Sequence, residues 1–249
     1  NEEKVVCKTV DSILRSSWTN IEIVVVDDGS SDNTFEVCAL RYNSIDNIQV
    51  HRKVNGGKAT AINYGVFHSK GDFCLILDAD TVLDENAIER MLWHFASDST
   101  VGGVAGNVIV GNAENYLTRL QKLEYVTSQQ IDRVAQDYFS SITVVPGAIG
   151  LWKKSILNEV GGLEHDTLAE DMCLTWKVRA AGYKIVSDLD ARSYTEAPET
   201  IKTFYKQRSR WNFGTLQCIF KHFKSLSFEA PLRLMVITDY VVQVLALPL

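Results

Sequence analysis

Two apolar runs in the first third of the chain predict buried β-strands that end at acidic residues. Residues 21–26 are mostly apolar and β-branched and lead into Asp27-Asp28-Gly29-Ser30. Residues 73–77 repeat this pattern and lead into Asp78-Ala79-Asp80. Runs of this kind, with little alternation of apolar and polar positions, are typical of strands buried on both faces of a parallel sheet. We therefore expect a functional loop after each of the two strands.

Helical patterns separate these strands from others. The patterns predict helices over residues 33–40, 59–69 and 85–96, and further strands over 48–51 and 101–110. Strands that alternate with helices predict βαβ units in an α/β fold with a mostly parallel central sheet. In such sheets the ligand crevice lies at the carboxyl ends of the strands.

The second half of the chain has longer elements. We expect helices over residues 114–136 and 170–181, with an extended, glycine- and proline-containing segment over 142–152 between them. A further amphipathic helix is predicted at 216–223, either as part of the core or at a membrane surface. Residues 234–249 are strongly apolar and predict either a buried helix or the start of a transmembrane helix, which needs about 20 apolar residues. We favour the membrane interpretation for both.

Composition excludes several classes of function. The net charge of −6 and the isoelectric point near 5.4 argue against nucleic acid as the main partner, since nucleic-acid binding requires a basic surface. The five cysteines contain no Cys-x-x-Cys pair, and the five histidines show no metal-ligand spacing. The cysteines therefore indicate reduced thiols in a cytosolic compartment, with neither a disulfide framework nor a zinc site.

The Asp78-Ala79-Asp80 motif predicts a cation site. Carboxylates two residues apart after a strand can face one pocket, and with phosphate oxygens they form the ligand set of Mg²⁺ or Mn²⁺. We expect Asp80 to be the main metal ligand and Asp78 to bind metal or ribose. An Asp-x-Asp sequence also occurs by chance in loops, but its place after a buried strand favours function.

Two further motifs can be interpreted either structurally or chemically. Glu170-Asp171 starts a predicted helix, where acidic residues are favoured in any case, but Asp171 could also act as a general base with Glu170 beside it. Asn55-Gly56-Gly57-Lys58 is an ordinary turn, or a loop whose lysine meets phosphate. The sequence contains neither of the common glycine-rich nucleotide motifs, Gly-x-x-x-x-Gly-Lys-Ser/Thr and Gly-x-Gly-x-x-Gly.

Gln207, Arg210 and Trp211 are spaced to share one helix face. This face offers an amide, a guanidinium that can bind phosphate bidentately, and an aromatic surface on which a sugar can stack. A helix that packs one tryptophan into the core would explain Trp211 alone, but not all three residues. Together with the acidic motifs, the face indicates chemistry on a sugar joined to a diphosphate.

These four ordered motifs resemble those of the processive, membrane-embedded polysaccharide synthases of glycosyltransferase family 2, and the resemblance covers nearly the whole chain. Three further segments resemble the synthases of poly-N-acetylglucosamine type: Val145-Pro146-Gly147-Ala148, Pro198-Glu199-Thr200 and Trp211-Asn212-Phe213-Gly214. One position departs from the family pattern, because Ala169 stands where a threonine usually precedes Glu-Asp. In the resembled family a strand also precedes the point where this chain begins.

The resemblance implies a GT-A fold and inverting transfer of a sugar, with N-acetylglucosamine as the best guess, from a UDP-sugar to a growing polysaccharide. It implies that Asp27 and Asp28 bind the nucleotide, with Asp28 at the uracil, that Asp171 is the base, and that Glu170, Gln207 and Trp211 border the acceptor. Lys58 and Arg210 would then assist the departing diphosphate.

The implied organisation is a catalytic domain over residues 1–214, an interfacial helix over 215–230 and a truncated transmembrane segment over 231–249. The catalytic domain would face the cytoplasm at the inner membrane, with an export or accessory subunit as a possible partner. Two alternatives stay open: a non-processive transferase that acts on a lipid or short glycan, and a catalytically silent nucleotide-sugar binding module.

Overall fold

The structure is a computed structural model that describes residues 1–223. The helices in this range are α1 Val6–Leu14, α2 Thr34–Tyr42, α3 Lys58–His68, α4 Ala87–Ser97, α5 Tyr116–Val126, α6 Arg133–Tyr138, α7 Lys154–Glu159, α8 Glu170–Ala180 and α9 Ile201–Lys221, with a π-helical turn at Thr127–Asp132. The strands are β1 Ile23–Asp27, β2 Ile48–Arg52, β3 Phe73–Ile76, β4 Val82–Leu83, β5 Val101–Val110, β6 Gly150–Lys153 and β7 Lys184–Thr195. The predicted α/β class is confirmed. Helix α1 was not anticipated from the sequence.

The strands form two sheets, and their directions correct one expectation. β1 and β2 form a parallel pair, and the larger sheet has the order β3-β6-β5-β7-β4. In the larger sheet only β5 and β7 pair in parallel, whereas the other three pairs are antiparallel. The prediction of a mostly parallel sheet was therefore wrong for these strands. The apolar sequence pattern predicted that the strands are buried. The direction of each strand depends on how the chain connects it to its neighbours in the sheet.

The core lies around β5 and β6. Nine of the ten residues of β5 are buried, because helices or loops cover both faces of this central strand. Ala105, Trp152 and Leu174 belong to one apolar cluster on the side of α8, whereas Met91, Val104 and Leu151 belong to another on the side of α4. Helix α8, which contains the predicted base Asp171, packs against this core.

The predicted helix over residues 114–136 is present as α5 and α6, joined by the π-helical turn. The helix predicted to begin near residue 215 is the last part of α9. Thr215 and Cys218 of this part are buried, whereas Phe220 and Phe223 are exposed. The predicted boundary between residues 214 and 215 thus lies inside one continuous helix.

Membrane insertion stays a prediction. None of the helices within residues 1–223 has both the length and the apolar character needed to cross a bilayer. The predicted transmembrane segment over 231–249 and residues 224–230 of the predicted interfacial helix lie outside the described residues.

Candidate functional site

The loop after β1 holds both of its predicted aspartates in defined places. Asp27 is only 4% exposed, and its Oδ2 lies 3.3 Å from Nε of Arg52 on the neighbouring strand. The carboxylate of Asp28 accepts hydrogen bonds from the backbone amides of Gly56 (3.0 Å) and Gly57 (2.8 Å). Lys53 pairs with Asp28 at 2.5 Å. The loop at Gly56 and Gly57 is therefore tied to the predicted nucleotide-binding aspartate.

Gly57 also explains how α3 begins. Its φ of 87° lies in the left-handed region, which favours glycine, and the helix starts at the next residue. This places Lys58 at the first position of α3, where its ammonium group contacts Asp78 Oδ1 and lies 3.5 Å from Glu170 Oε1. The lysine of the Asn55-Gly56-Gly57-Lys58 motif therefore contacts residues of two acidic motifs, Asp78 and Glu170.

Charge balance at Lys58 favours the ammonium form. Burial by itself would lower the pKa of this lysine, but the carboxylates of Asp78, Glu170 and Asp171 outweigh burial, so its pKa is raised above the usual value. Lys58 is therefore a permanent positive charge between two acidic motifs. Such a charge can meet a phosphate oxygen when a diphosphate enters.

Asp80 has a different environment from Asp78. No lysine or arginine among the described residues forms an ion pair with Asp80; its side chain instead lies 3.4 Å from the Thr81 hydroxyl. Burial, followed by repulsion from Asp78, Glu2 and Glu196, raises the pKa of Asp80 to about 6. A partly buried carboxylate in this situation gains from a bound cation.

The donor set fits Mg²⁺ or Mn²⁺. Asp78 and Asp80 both border the same cleft, and carboxylate oxygens are the protein ligands that these hard cations prefer. Asp80 supplies a charge that the described lysines and arginines leave uncompensated. Asp80 and, after a shift of Lys58, Asp78 would hold the ion.

The raised pKa of Asp80 predicts a stability effect in the absence of metal. A carboxyl whose pKa is raised on folding weakens the fold as pH rises from about 4 to about 6, because ionisation costs more in the folded state. Asp80→Asn should therefore raise stability at pH 7 by about 1–2 kcal/mol, a value reduced for partial exposure. That corresponds to a melting temperature a few degrees higher, and the gain should vanish near pH 4. Thermal unfolding in EDTA across this pH range measures it.

Asp84→Asn, at a position four residues further along the chain, is the control for that measurement. Within residues 1–223 the side chain of Asp84 accepts only a local hydrogen bond, from the backbone amide of Asn86 at 3.3 Å. An equal effect of Asp80→Asn at pH 4 and pH 7 would contradict the environment assigned to Asp80.

Asp171 lies at the start of α8 and is held from outside the helix. Its Oδ2 accepts a hydrogen bond from the backbone amide of Gly147 at 3.2 Å. Thr175 extends the same connection, since its hydroxyl donates to the Asp171 carbonyl at 2.8 Å and accepts from the Val145 amide at 2.9 Å. The Val145-Pro146-Gly147 segment therefore orients the predicted base.

Glu170 is the buried neighbour that the sequence predicts. It is 8% exposed, and burial together with the charge of Asp171 raises its pKa. Glu170 also lies 3.5 Å from Lys58. Ala169, at the position that departs from the family pattern, is the residue before α8, and it provides no side-chain cap.

The three residues on the α9 face have different surroundings. Arg210 is exposed and borders the same cleft as Asp28, Lys58, Asp78 and Asp80. The cleft has a volume of about 1560 Å³. Gln207 is partly buried, and its Oε1 accepts no hydrogen bond within the described residues. Trp211 is partly exposed.

Arg208 is a further residue of this helix, and no motif of the sequence predicts its contacts. Its guanidinium lies 4.2 Å from the centre of the Trp211 ring and 5.0 Å from that of Phe204. The same group pairs with Glu124 of α5 at 2.6 Å. Arg208 thus positions Trp211 and joins α9 to α5, a role that only spatial neighbours reveal.

Residues that the sequence analysis missed are Lys53, which pairs with Asp28, and Gly147, whose amide meets Asp171. The Val145-Pro146-Gly147-Ala148 segment carried a signal, but only as a family similarity. For Lys53 the sequence offers no signal beyond its distance of a few residues from Gly56.

Comparison with solved structures defines the class of fold. The chain is similar over its whole length to 69% of a mannosyltransferase of Pyrobaculum calidifontis solved with GDP-Man and Mn²⁺, with a TM-score of 0.78 and 21% identity. It is also similar to TarS residues 1–349 of Staphylococcus aureus in complex with UDP-GlcNAc, with a TM-score of 0.65, 15% identity, and coverage of 97% of this chain and 69% of that one. These similarities confirm the predicted GT-A fold.

Sequence comparison defines the family. Residues 1–161 match the profile of glycosyl transferase family 2, and the chain belongs to this family. Poly-beta-1,6-N-acetyl-D-glucosamine synthase of Staphylococcus aureus is 32% identical over 225 residues, which are 90% of this chain and 55% of that protein. The synthase of the same name from Staphylococcus epidermidis is 33% identical with the same coverage. The chain spans about half the length of these curated relatives.

Proposed function

We propose that this chain is the catalytic domain of an inverting glycosyltransferase that moves N-acetylglucosamine from a UDP-sugar to a growing polysaccharide. The observation that carries the proposal is the meeting of Lys58, Asp78, Glu170 and Asp171 in one cluster beside the cleft. Four separate sequence motifs reach this cleft or the cluster next to it. The sugar is inferred from the relatives named poly-beta-1,6-N-acetyl-D-glucosamine synthase.

The nucleotide part of the donor would bind at the loop after β1. Asp28 is held by Gly56, Gly57 and Lys53, so its carboxylate is oriented before a ligand arrives. An oriented carboxylate can accept a hydrogen bond from an imide N–H or a ribose hydroxyl. Asp27 supports the loop from within the strand through its contacts with Arg52 and the Ser30 amide.

The diphosphate would lie between Lys58 and Arg210, the two cationic side chains of the proposed site that border the cleft. A bound Mg²⁺ or Mn²⁺ at Asp80 and Asp78 would offset negative charge on the departing UDP. Lys58 can move from Asp78 towards the phosphate while it keeps its contact with Glu170. These positive groups would stabilise the charge that develops as the sugar leaves.

Asp171 would remove the proton from the acceptor hydroxyl. The Gly147 amide binds one carboxylate oxygen of Asp171 and thereby fixes its direction. Because a single base suffices for direct displacement and no covalent nucleophile is needed, inversion at the anomeric carbon follows. Within the described part of the chain the Oε1 of Gln207 accepts no hydrogen bond, so it is suited to accept one from an acceptor sugar, since buried polar atoms normally have a partner.

Processive synthesis at a membrane belongs to the same proposal. Trp211, held by Arg208, would be a stacking surface for the terminal sugar of the polymer. The exposed Phe220, on the same helix, and Phe223, two residues after its end, precede the apolar residues 234–249. This order leads from the acceptor towards an inner-membrane segment, with the catalytic domain on the cytoplasmic side and an export or accessory subunit as a further partner.

Trp211→Ala should shorten or abolish the polymer while UDP affinity changes by less than about threefold. The reason is that the change removes a stacking surface worth about 0.5–1.5 kcal/mol per contact but leaves the diphosphate site intact. The measurement is gel and mass analysis of product made by the full-length protein in lipid vesicles from several radiolabelled UDP-sugars.

Phe213→Ala is the matched control, because Phe213 is an exposed aromatic residue two positions away on α9. It should leave product length unchanged. A product with one added sugar, unaffected by Trp211→Ala, would contradict processive synthesis and favour a non-processive transferase. Nucleotide binding without any transfer would identify a silent binding module.

A further inference from the structure

A second polar cluster lies at the junction of α8 and α9, away from the aspartates of the cleft. Cys173 Sγ lies 3.0 Å from His222 Nε2 and 3.4 Å from Glu164 Oε2. The ligand atoms of these three residues all lie within 4.8 Å of one another, and within residues 1–223 no other group of three His, Cys, Asp or Glu residues has this spacing. Cys173 is buried, whereas Glu164 and His222 are partly exposed, so solvent reaches the cluster from one side.

Cys173 and Glu164 are already in direct contact, because the Cys173 thiol donates a hydrogen bond to Glu164 Oε2 at 3.4 Å. A thiol loses its proton when it ligates a metal ion, so an ion that took the place of this proton would keep both groups as ligands.

The donor set is one that zinc prefers. Thiolate, imidazole and carboxylate all ligate Zn²⁺, with bond lengths near 2.3, 2.0 and 2.0–2.2 Å. In a tetrahedral site these bonds place sulfur about 3.5 Å from each of the other two donors. The distance to Glu164 already agrees with this value, and the distance to His222 needs to open by about 0.5 Å. Mg²⁺ prefers oxygen ligands. This cluster therefore favours zinc, whereas Asp78 and Asp80 favour Mg²⁺ or Mn²⁺.

We propose that Glu164, Cys173 and His222 form a zinc site that joins the loop before α8, the helix α8 and the end of α9. The fourth position would be open to water on the exposed side. Cys173 stands two residues after Asp171, and His222 follows the helix that carries Arg210. A bound ion would therefore clamp the helix of the predicted base to the helix of the predicted diphosphate ligand. The proposal does not depend on the transferase function.

Lys221 is a built-in competitor for this site. Its Nζ lies 2.5 Å from Glu164 Oε2, the same oxygen that meets Cys173, and 2.6 Å from each carboxylate oxygen of Asp166. Lys177 contacts the other oxygen of Glu164 at 3.3 Å. A metal ion that takes Oε2 can leave Lys177 in place, but it must displace Lys221 towards Asp166. Loss of Lys221 should therefore strengthen metal binding.

The test is a zinc titration of the full-length protein after removal of metals with a chelator. We expect one Zn²⁺ per chain, and an affinity at least tenfold lower in Cys173→Ser and in His222→Gln. Lys221→Ala should bind zinc several-fold more tightly, because the competing ammonium group is removed. Cobalt added to the wild type should produce the thiolate-to-cobalt absorption, which Cys173→Ser should lack.

Cys38→Ser is the matched control, because Cys38 is also fully buried but lies in the cluster around β1 and β2. It should leave zinc affinity unchanged. Unaltered zinc affinity in both ligand variants, or no gain in Lys221→Ala, would overturn the proposal. Circular dichroism of each variant identifies any loss of fold. Since the readout is metal binding, a failure here would be separate from a failure of the transferase proposal.

Discussion

Asp171→Asn should leave UDP binding intact and lower the rate of sugar transfer by about 10²–10⁴-fold, the usual contribution of a general base. The asparagine oxygen can still accept the hydrogen bond from the Gly147 amide, so the local structure should persist. Only the ability to take a proton is lost. Glu170 cannot replace it readily, because it is buried and lies against Lys58.

The comparison needs turnover and UDP affinity from the same preparation, the first by product release and the second by calorimetry. Asp190→Asn is a suitable control, because Asp190 is an exposed acidic residue of β7. It pairs with Arg90 of α4 and with Arg192 of β7. Transfer by Asp171→Asn within tenfold of the wild-type rate would exclude Asp171 as the base. Loss of UDP binding would instead indicate that Asp171 shapes the donor site.

UDP binding by the full-length protein should depend on Mg²⁺ or Mn²⁺, and Asp80→Ala should remove that dependence. Lys58 already balances Asp78, whereas Asp80 has no such partner among the described lysines and arginines. Without a cation, Asp80 would repel the diphosphate. We expect wild-type affinity to fall by about tenfold or more in EDTA, which corresponds to about 1.4 kcal/mol. In Asp80→Ala the affinities with and without metal should agree.

The pKa of Asp80 adds a pH dependence to this prediction. Since a metal ligand must be deprotonated, the benefit of the cation should appear as pH rises through about 6 and should be lost below it. Titrations at pH 5 and pH 7.5 measure this, with Asp84→Ala as the control. Equal wild-type affinity for UDP in EDTA and in Mn²⁺ at pH 7.5 would remove the metal from the proposal.

The sequence predicted β1, β2, β3 and β5 as strands, but it predicted neither β4 and β7 nor the pairing of the strands. The run at residues 73–77 identified β3, because a short apolar run that ends in carboxylates is typical of a buried strand that leads into a polar loop. Its antiparallel pairing with β6 was not predictable, because the apolar residues of β6 indicate burial but not the direction in which the strand runs. The short helix α1 was also missed, although its packing against β1 and α2 buries Val6 and Val10.

The members of the candidate site were largely predictable, and their contacts were not. Asp28, Asp78 and Asp171 follow or precede recognisable elements, so local patterns located them. Their partners come from elsewhere in the chain: Lys53 for Asp28, and the Gly147 amide for Asp171. Side chains that position others rarely leave a local pattern, because their role depends on a neighbour in space.

The amino-acid sequence by itself determined the α/β class, the family resemblance and the acidic and aromatic motifs, because each depends on short-range spacing along a strand or helix. Only the tertiary structure decided that Lys58 lies between Asp78 and Glu170, and that Arg208 stacks on Trp211. It also decided that Cys173 meets His222, although 49 residues separate them. The spacing rules that predicted no metal site among the cysteines and histidines apply to ligands close in sequence. Folding brings distant residues together through the packing of apolar faces, which leaves no spacing signal between the polar residues that it joins.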